Sequence, residues 1–533
     1  MQEPASTRHL DTTNPSHITY NHPPLEITVL GGIRLEGLDR MRVTLKVQVE
    51  HLALRHNLDL YNDNQTEKLV RKIAERLEIG TSLAAAALSD LTDKLEKYRL
   101  EEIEASQREH EKRKMLNPKE IRQAEEYLSA PNLMERTGQD IGRTGVIGEE
   151  INRLLMYIIF TSRKRERPLH VISLGGSGLG KTHLQEKVSA LIPDEDKVEN
   201  TSLTAAAFYY FGKQQLKNKL VLIEDLDGAE NALFPIRELQ TKRKIIRTVP
   251  FKNTKGETRS VQLIVEGPVS IAGCTTKENL YEDNANRSFL IHIDESTVQD
   301  EKIMEYQRRL SAGKTDLAAQ QQLVERFRNM QRILVPAQVR NPYAEQLKIP
   351  KEVLRPRRTN AHYLAFIEAV TFYHQYQREK QFDRQTGEEY IETTIEDIRS
   401  ANRLMKEVLL RKADTLTVAV RNYFERLKKY LKDQKGLSFT NRQIRQALRI
   451  KAATLKRYHS ELLVNGLLQV KSGKKATGYI YQVTSFKDYE QLQERIHGVL
   501  DEITGRLERK ERRPGGPVVA HRENGPAKEK KAS

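Results

Sequence analysis

The sequence predicts an α/β chain: a parallel sheet flanked by helices around a phosphate-binding loop, then a helical lid, with a small α+β domain in front and a C-terminal winged helix behind. Three observations predict it. Short apolar runs at 170–174, 219–226, 268–275 and 289–294 alternate with helical patterns between about 117 and 299, the rhythm of a parallel sheet. The first run leads straight into a glycine-rich loop and a helical pattern. Residues 300–435 then carry long helical patterns, interrupted around Pro350 and Pro356, with little strand character.

Taken in chain order, residues 1–24 are polar, contain Pro4, Pro15, Pro23 and Pro24, and read as a flexible arm. Residues 25–100 read as the α+β domain, β-rich from Leu25 to Val49 and helical in spacing from Asn64 to Arg99. A charged, weakly anchored run makes 101–135 a helical linker. The α/β core is expected over 136–299, the lid and connector over 300–410, the winged helix over 411–500, and a basic disordered tail over 501–533.

Composition narrows the function. At 533 residues the chain has room for three or four units at about 150 residues each. With 38% hydrophobic residues, a mean hydropathy of -0.65 and no apolar run near the roughly 20 residues a spanning helix needs, an integral membrane protein is excluded. The N-terminal residues lack the apolar segment of a secretory signal, so the expected compartment is the cytoplasm. One cysteine, Cys274, rules out intramolecular disulfides and four-cysteine zinc or iron–sulfur sites. Lys and Arg number 89 against 73 Asp and Glu, a net charge of +16 that favours a polyanionic partner, nucleic acid first among them, while a basic tail alone would raise the same number. The 14 histidines show no H-E-x-x-H spacing, so the only metal expected is Mg²⁺ bound with nucleotide.

Gly175-Gly176-Ser177-Gly178-Leu179-Gly180-Lys181-Thr182 satisfies G-x-x-x-x-G-K-[ST]. Glycines let backbone amides wrap phosphates, Lys181 reaches the terminal phosphates of ATP, Thr182 offers its hydroxyl to Mg²⁺, and His183 opens the helix whose positive end faces the anion. A second strand, Leu220–Ile223, ends on Glu224 and Asp225, the acidic pair expected at the crevice to hold the metal and polarise the attacking water. The usual Asp-then-Glu order is reversed. Position gives Glu224 the metal and Asp225 the base role, while Asp225 with Asp227 is an alternative pair.

With these landmarks in order the segment 140–375 resembles AAA+ ATPases, in the branch of MCM helicases and magnesium chelatases. That resemblance implies several roles. Val146 and Ile147, within Gly145–Glu150, would enclose the adenine. Thr275 or Thr276 would be the polar sensor of the γ-phosphate, Arg287 an arginine finger acting in a neighbour's site, and Arg358, with Arg357 beside it, a sensor-2 arginine. A finger in trans implies a homo-oligomeric ring, a hexamer being expected. The basic insertion from Gln240 to Arg259 contains a hairpin-like turn at 253–257, and in that branch such a hairpin touches DNA, here through Lys252 and Lys255.

The 143–174 segment, Thr371–Glu379 and the basic C-terminal unit together resemble the ATPase half of primase-helicase proteins of plasmids and other mobile elements, which implies a separate primase partner. Two acidic fragments, at 35–39 and 225–228, loosely mimic a Toprim site. The strand that leads into the glycine loop separates them, so primer synthesis is not expected. In the winged-helix candidate Lys456, Arg457 and His459 are the outward contacts of a recognition helix, and Lys471, Lys474 and Lys475 sit on the wing. The function expected is an ATP-dependent DNA helicase or translocase. The alternatives are a helicase loader or transposition regulator, and a chaperone without a nucleic-acid role.

Overall fold

The computed structural model describes residues 9–33, 40–111, 114–201, 203–204, 206–252, 258–277, 286–474 and 478–512. The predicted hairpin turn at 253–257, Lys255, Lys475, the whole 35–39 fragment and the segment beyond 512 lie outside them. Two compact units result, Met1–Lys114 and Met115–Ser533.

In the first unit β1 (His9–Asp11), β2 (His17–His22), β3 (Leu25–Leu30), β4 (Arg42–Val49) and β5 (Leu52–Asp59) form an antiparallel meander. Alternate residues point into one core, as the two-residue period of a strand dictates: Ile18 and Tyr20 from β2, Val43, Leu45 and Val47 from β4. Helix α1 (Asp63–Leu77) starts at Asn62, whose side chain accepts from the Gln65 amide, and it buries Leu69, Ile73 and Leu77 on one stripe. Helix α2 (Thr81–Glu111) covers the same core with Ala84, Ala87, Leu88, Leu91 and Leu95. The expected flexible arm over 1–24 is corrected for its described part. Ile18 and Tyr20 are fully buried, and Pro23-Pro24 sits in the turn joining β2 to β3.

The second unit begins earlier than 136. Helix α3 (Pro118–Ser129), opened by an Asn117/Glu120 capping box, and α4 (Leu133–Arg143) bury Ala124, Leu128, Leu133, Met134 and Ile141 in the main core, so 118–135 is core rather than linker. Helix α5 (Glu150–Thr161) is buried along almost its whole length, as its apolar run demands. Then come β6 (Val171–Leu174), α6 (Lys181–Ser189), β7 (Lys197–Asn200), β8 (Lys219–Ile223), α7 (Leu233–Lys242), β9 (Lys244–Lys252), β10 (Thr258–Glu266), β11 (Val269–Thr275) and β12 (Phe289–His292). Strands β12-β6-β11-β8-β7 make one wholly parallel sheet in that order. Strands β9 and β10 pair antiparallel over nine residues as a separate hairpin.

Beyond the sheet lie α8 (Thr297–Ser311) and α9 (Leu317–Ile333). Gln331 of α9 bonds the Tyr157 hydroxyl at 2.9 Å, Thr161 at 2.7 Å and the fully buried Arg163 at 2.6 Å, which fastens α9 to α5. A small sheet, β13 (Gln338–Arg340), β14 (Gln381–Phe382) and β15 (Glu389–Glu392), accompanies α10 (Pro356–Tyr373), strand content the sequence patterns did not indicate. Helices α10 and α11 (Ile395–Ala413) share the core of α5. The C-terminal segment runs α12 (Val418–Asp433), β16 (Ser438–Thr440), α13 (Asn441–Leu448), α14 (Ala452–Val464), β17 (Leu468–Lys474), β18 (Gly478–Val483), with a sheet ordered β16-β18-β17 and its own core. Finally α15 (Asp488–Glu511) returns to pack on α11 through Ile496, Leu500, Ile503 and Leu507. The boundary at 501 is therefore corrected: 501–511 is helix bound to the main core, because its apolar residues recur at helical spacing. Among the described residues no helix is long and apolar enough to cross a membrane.

Candidate nucleotide-binding site

The strand register places the site. Thr275 stands beside Leu174 and Gly273 beside Ile223, so β6, β11 and β8 end together, and the loops leaving their C-terminal ends line one crevice. After β6 the loop Gly175–Gly180 carries positive φ at Gly178 (82°) and Gly180 (85°), conformations open to glycine at little cost, and then starts α6. Ser177 and Gly178 are exposed and Leu179 half-buried at its rim. Lys181 is 7% exposed, and its ammonium is held over the loop by donating to the Gly175 and Gly176 carbonyls at 2.9 and 2.6 Å. Thr182 is half-buried and His183 exposed on the first turn of α6.

The acid end of β8 is tied to this helix. Gln185 of α6 donates to the Ile223 carbonyl at 3.4 Å and accepts from the Cys274 thiol at 3.5 Å. Burial pushes that thiol up to about 11, so Cys274 stays neutral and serves as packing. Glu224 and Asp225 are exposed at the strand end. Asp227 has a different task. Its carboxylate accepts from the Thr275 hydroxyl, from the Thr276 amide at 2.9 Å and from the Thr276 hydroxyl at 2.7 Å, while Asp225 accepts from the Asp227 amide at 2.9 Å. Burial alone would raise the Asp227 carboxyl, but the two threonines outweigh it and hold it below the usual range. Thr275 and Thr276 are thus locked in place, while Glu224 and Asp225 stay exposed at the end of β8.

On the other side lies the Gly145–Glu150 segment. Glu149 accepts from the Asp294 amide at 2.7 Å, and Asn152 donates to the His292 carbonyl at 2.8 Å; His292 pairs with Leu174, so the segment sits at the same sheet end as the glycine loop. Burial pushes the Glu149 carboxyl up. Arg153, 8% exposed, donates to the carbonyls of Gly138 (3.1 and 2.8 Å), Val146 (3.0 Å) and Gly148 (2.9 Å). Gln299 donates to the Ile147 carbonyl at 2.7 Å. Gly148 has φ of 65°, and a Cβ there would meet the Gln299 side chain at 1.9 Å. Sequence reasoning missed Arg153, Gln185 and Gln299, which read in the sequence as ordinary polar residues within helices.

Not every expected residue joins this cluster. Arg287 lies two residues before Phe289, and β12 runs parallel to β6 with Phe289 beside Val171, so Arg287 is at the sheet end opposite the glycine loop. About five residues of strand at roughly 3.3 Å each separate the two levels. Its guanidinium donates to Thr241 at 2.8 Å. Arg358 is exposed on the first turn of α10, one turn from His362, whose ring stacks on Phe289 with centroids 5.2 Å apart. In the C-terminal segment Lys456, Arg457 and Lys474 are exposed. The expectation for His459 is corrected: it is 2% exposed, bonds the Tyr423 hydroxyl and packs between Tyr481 and Phe439, because its position on α14 faces the core. Lys252 ends β9.

The residues fit a magnesium nucleotide. Mg²⁺ needs one or two carboxylates besides phosphates and water rather than a protein cage, and the exposed Glu224 and Asp225 with the Thr182 hydroxyl would supply that set. Among the described residues no cluster of three or more His, Cys, Asp or Glu side chains is arranged to hold a metal by itself.

A parallel sheet flanked by helices, with a glycine loop between its strand and α6, defines a P-loop NTPase core. The family described as MTBMA_p00010 P-loop domain matches residues 120–337, starting within α3 and ending just beyond α9. No curated protein sequence matches the chain. Solved structures similar to it include a full-length MCM homolog from Methanopyrus kandleri, at 10% identity and a TM-score of 0.36 over 76% of this chain and 75% of that one. Another is NtrX from Brucella abortus in complex with ATP, at 12% identity and 0.20 over 62% and 69%. At those scores the assignment rests on the family match and the loop itself.

Proposed function

We propose that the chain is an ATP-hydrolysing DNA motor of the AAA+ type, working as a homo-oligomeric ring, a hexamer by its resemblance, in the replication or transfer of a mobile element beside a separate primase. One observation carries the proposal. The wholly buried strand β11 begins at the base of the basic β9–β10 hairpin, where the Gly267 amide donates to the Arg243 carbonyl at 2.7 Å, and ends at Thr275 in the nucleotide crevice. A shift of Thr275 on phosphate loss therefore has a rigid path to the hairpin, which bears Lys244, Arg247 and Lys252 on β9.

In hydrolysis Lys181 and the loop amides hold the phosphates, and Asp225 orients the water that adds to the γ-phosphorus as the bond to the β–γ bridging oxygen breaks. Thr182 and Glu224 would hold Mg²⁺, which supplies charge neutralisation on the phosphates. Asp227 keeps Thr275 and Thr276 aimed at the γ-phosphate. Arg287, at the far end of the sheet from its own loop, is read as the finger that serves a neighbour's nucleotide, and Arg358 as the sensor-2 arginine on α10. The C-terminal order of three helices and three strands supports the winged-helix reading, with Lys456, Arg457 and Lys474 toward DNA.

Strand displacement on a forked duplex tests the reading: ATP-dependent unwinding is expected. ATP turnover indifferent to DNA, with no displacement, would instead favour a loader or transposition regulator.

A further inference from the structure

Between Lys435 and Lys487 the chain carries nine lysines and arginines and a single carboxylate, Glu461. That carboxylate is already engaged, accepting from the Thr417 amide at 2.9 Å. The segment thus carries an excess of positive charge in its sequence, and two of its arginines line a groove. Arg442 and Arg445, one turn apart on α13, face the β17–β18 hairpin across a cleft of about 980 Å³ lined also by Thr440, Gln446, Gly473 and Tyr479. Neither arginine makes an ion pair among the described residues. Like charges at this helical spacing repel, so an anion between them is the stabilising partner.

The opposite wall offers a ring. Tyr479 is 38% exposed, and its edge is braced by Tyr481 at 6.2 Å, which is itself fixed against Phe439 and His459. At Gly473 a Cβ would meet the Gly478 carbonyl oxygen at 2.1 Å, so the two strands approach closely and the glycine itself adds no side chain at that point. Cations at phosphate-binding positions beside an open aromatic face are what an unpaired strand needs: phosphates track the charges and a base stacks on the ring. Within a duplex the base faces are covered by their neighbours, leaving Tyr479 without a surface to stack on.

We propose that the groove between α13 and the β17–β18 hairpin binds single-stranded DNA, with Arg442 and Arg445 on phosphates and Tyr479 under a base. This rests on the DNA-motor reading and names a second contact surface besides the α14 face. The test is fluorescence anisotropy of the full chain with a labelled oligo-dT and with a blunt duplex of equal length, without nucleotide, across a salt series. Arg442→Ala/Arg445→Ala should weaken oligo-dT binding at least about tenfold and reduce the slope of log K against log salt by about 1.4, two phosphates at roughly 0.7 each. Tyr479→Ala should weaken it about tenfold with the slope unchanged, since stacking releases no counterions. Duplex affinity should change less in both. Wild-type affinity and slope in both variants, or equal losses on duplex and single strand, would overturn the groove assignment alone. A wild-type chain that binds no DNA at low salt would overturn the groove and the DNA-motor reading together. All three side chains are exposed, and thermal melting of each variant confirms that it is folded.

Discussion

Replacing Arg153 by methionine tests the proposal that the Gly145–Glu150 segment encloses the adenine. The guanidinium is the common partner of three carbonyls, those of Gly138, Val146 and Gly148, and it has little contact with solvent. Methionine keeps much of the apolar stem and removes every donor. Three carbonyls left without a donor cost about 1–3 kcal/mol each, partly offset because a cation no longer needs burying, so the net loss is about 3 kcal/mol. The loss falls on the Val146–Gly148 segment, which is fixed otherwise by Gln299. ATP affinity should drop at least about tenfold, roughly 1.4 kcal/mol of the total appearing as binding. Inorganic triphosphate, which has no adenine, should bind as it does to the wild type. Isothermal calorimetry with both ligands reads the difference. Equal affinities for ATP, or equal losses for ATP and triphosphate, would refute the argument that Arg153 organises an adenine-binding segment.

Arg287→Ala should abolish hydrolysis while leaving nucleotide affinity intact, and mixing it with Lys181→Ala subunits should restore part of the turnover, since an intact loop then meets an intact arginine; full turnover by Arg287→Ala in a confirmed monomer would contradict this. Burial pushes His170, His292 and His362 down to about 3 from the usual 6.5, so each contributes stability that is complete above about 6.5 and is lost as pH falls through that window. Chemical unfolding between pH 7.5 and 4.5 should show the second unit weakening steadily, and an unchanged midpoint would contradict the assignment. Ile503→Asp places a carboxylate in the contact of α15 with α11 and should destabilise the second unit by several kcal/mol, whereas 501–511 as a free tail would leave the melting temperature unmoved.

What the sequence conveyed depended on how local the signal was. The glycine loop, the acidic strand end and four of the five strands of the parallel sheet are contiguous patterns. Strand β7 escaped because KVEN, on the sheet edge, has no apolar run. Strand β2 escaped for a related reason: HITYNH looks polar, yet its alternate residues Ile18, Tyr20 and His22 are buried. In α15 the stripe Ile496, Leu500, Ile503, Leu507 is diluted by charges on the other face, and the expected boundary at 501 cuts through the middle of it. The link from Asp227 to Thr275 and Thr276 spans 48 and 49 residues, and only the parallel pairing of β8 with β11 brings them together. Arg153 lies in an apolar helix, where nothing local marks its three carbonyl partners.

The most direct test is ATP turnover with Mg²⁺, with and without single-stranded DNA, for the wild type and Lys181→Ala. Turnover that DNA stimulates is expected in the wild type and none in Lys181→Ala, because Lys181 is the cation that the glycine loop holds through the Gly175 and Gly176 carbonyls. No turnover by the wild type under any condition, or equal turnover by the two proteins, would contradict it.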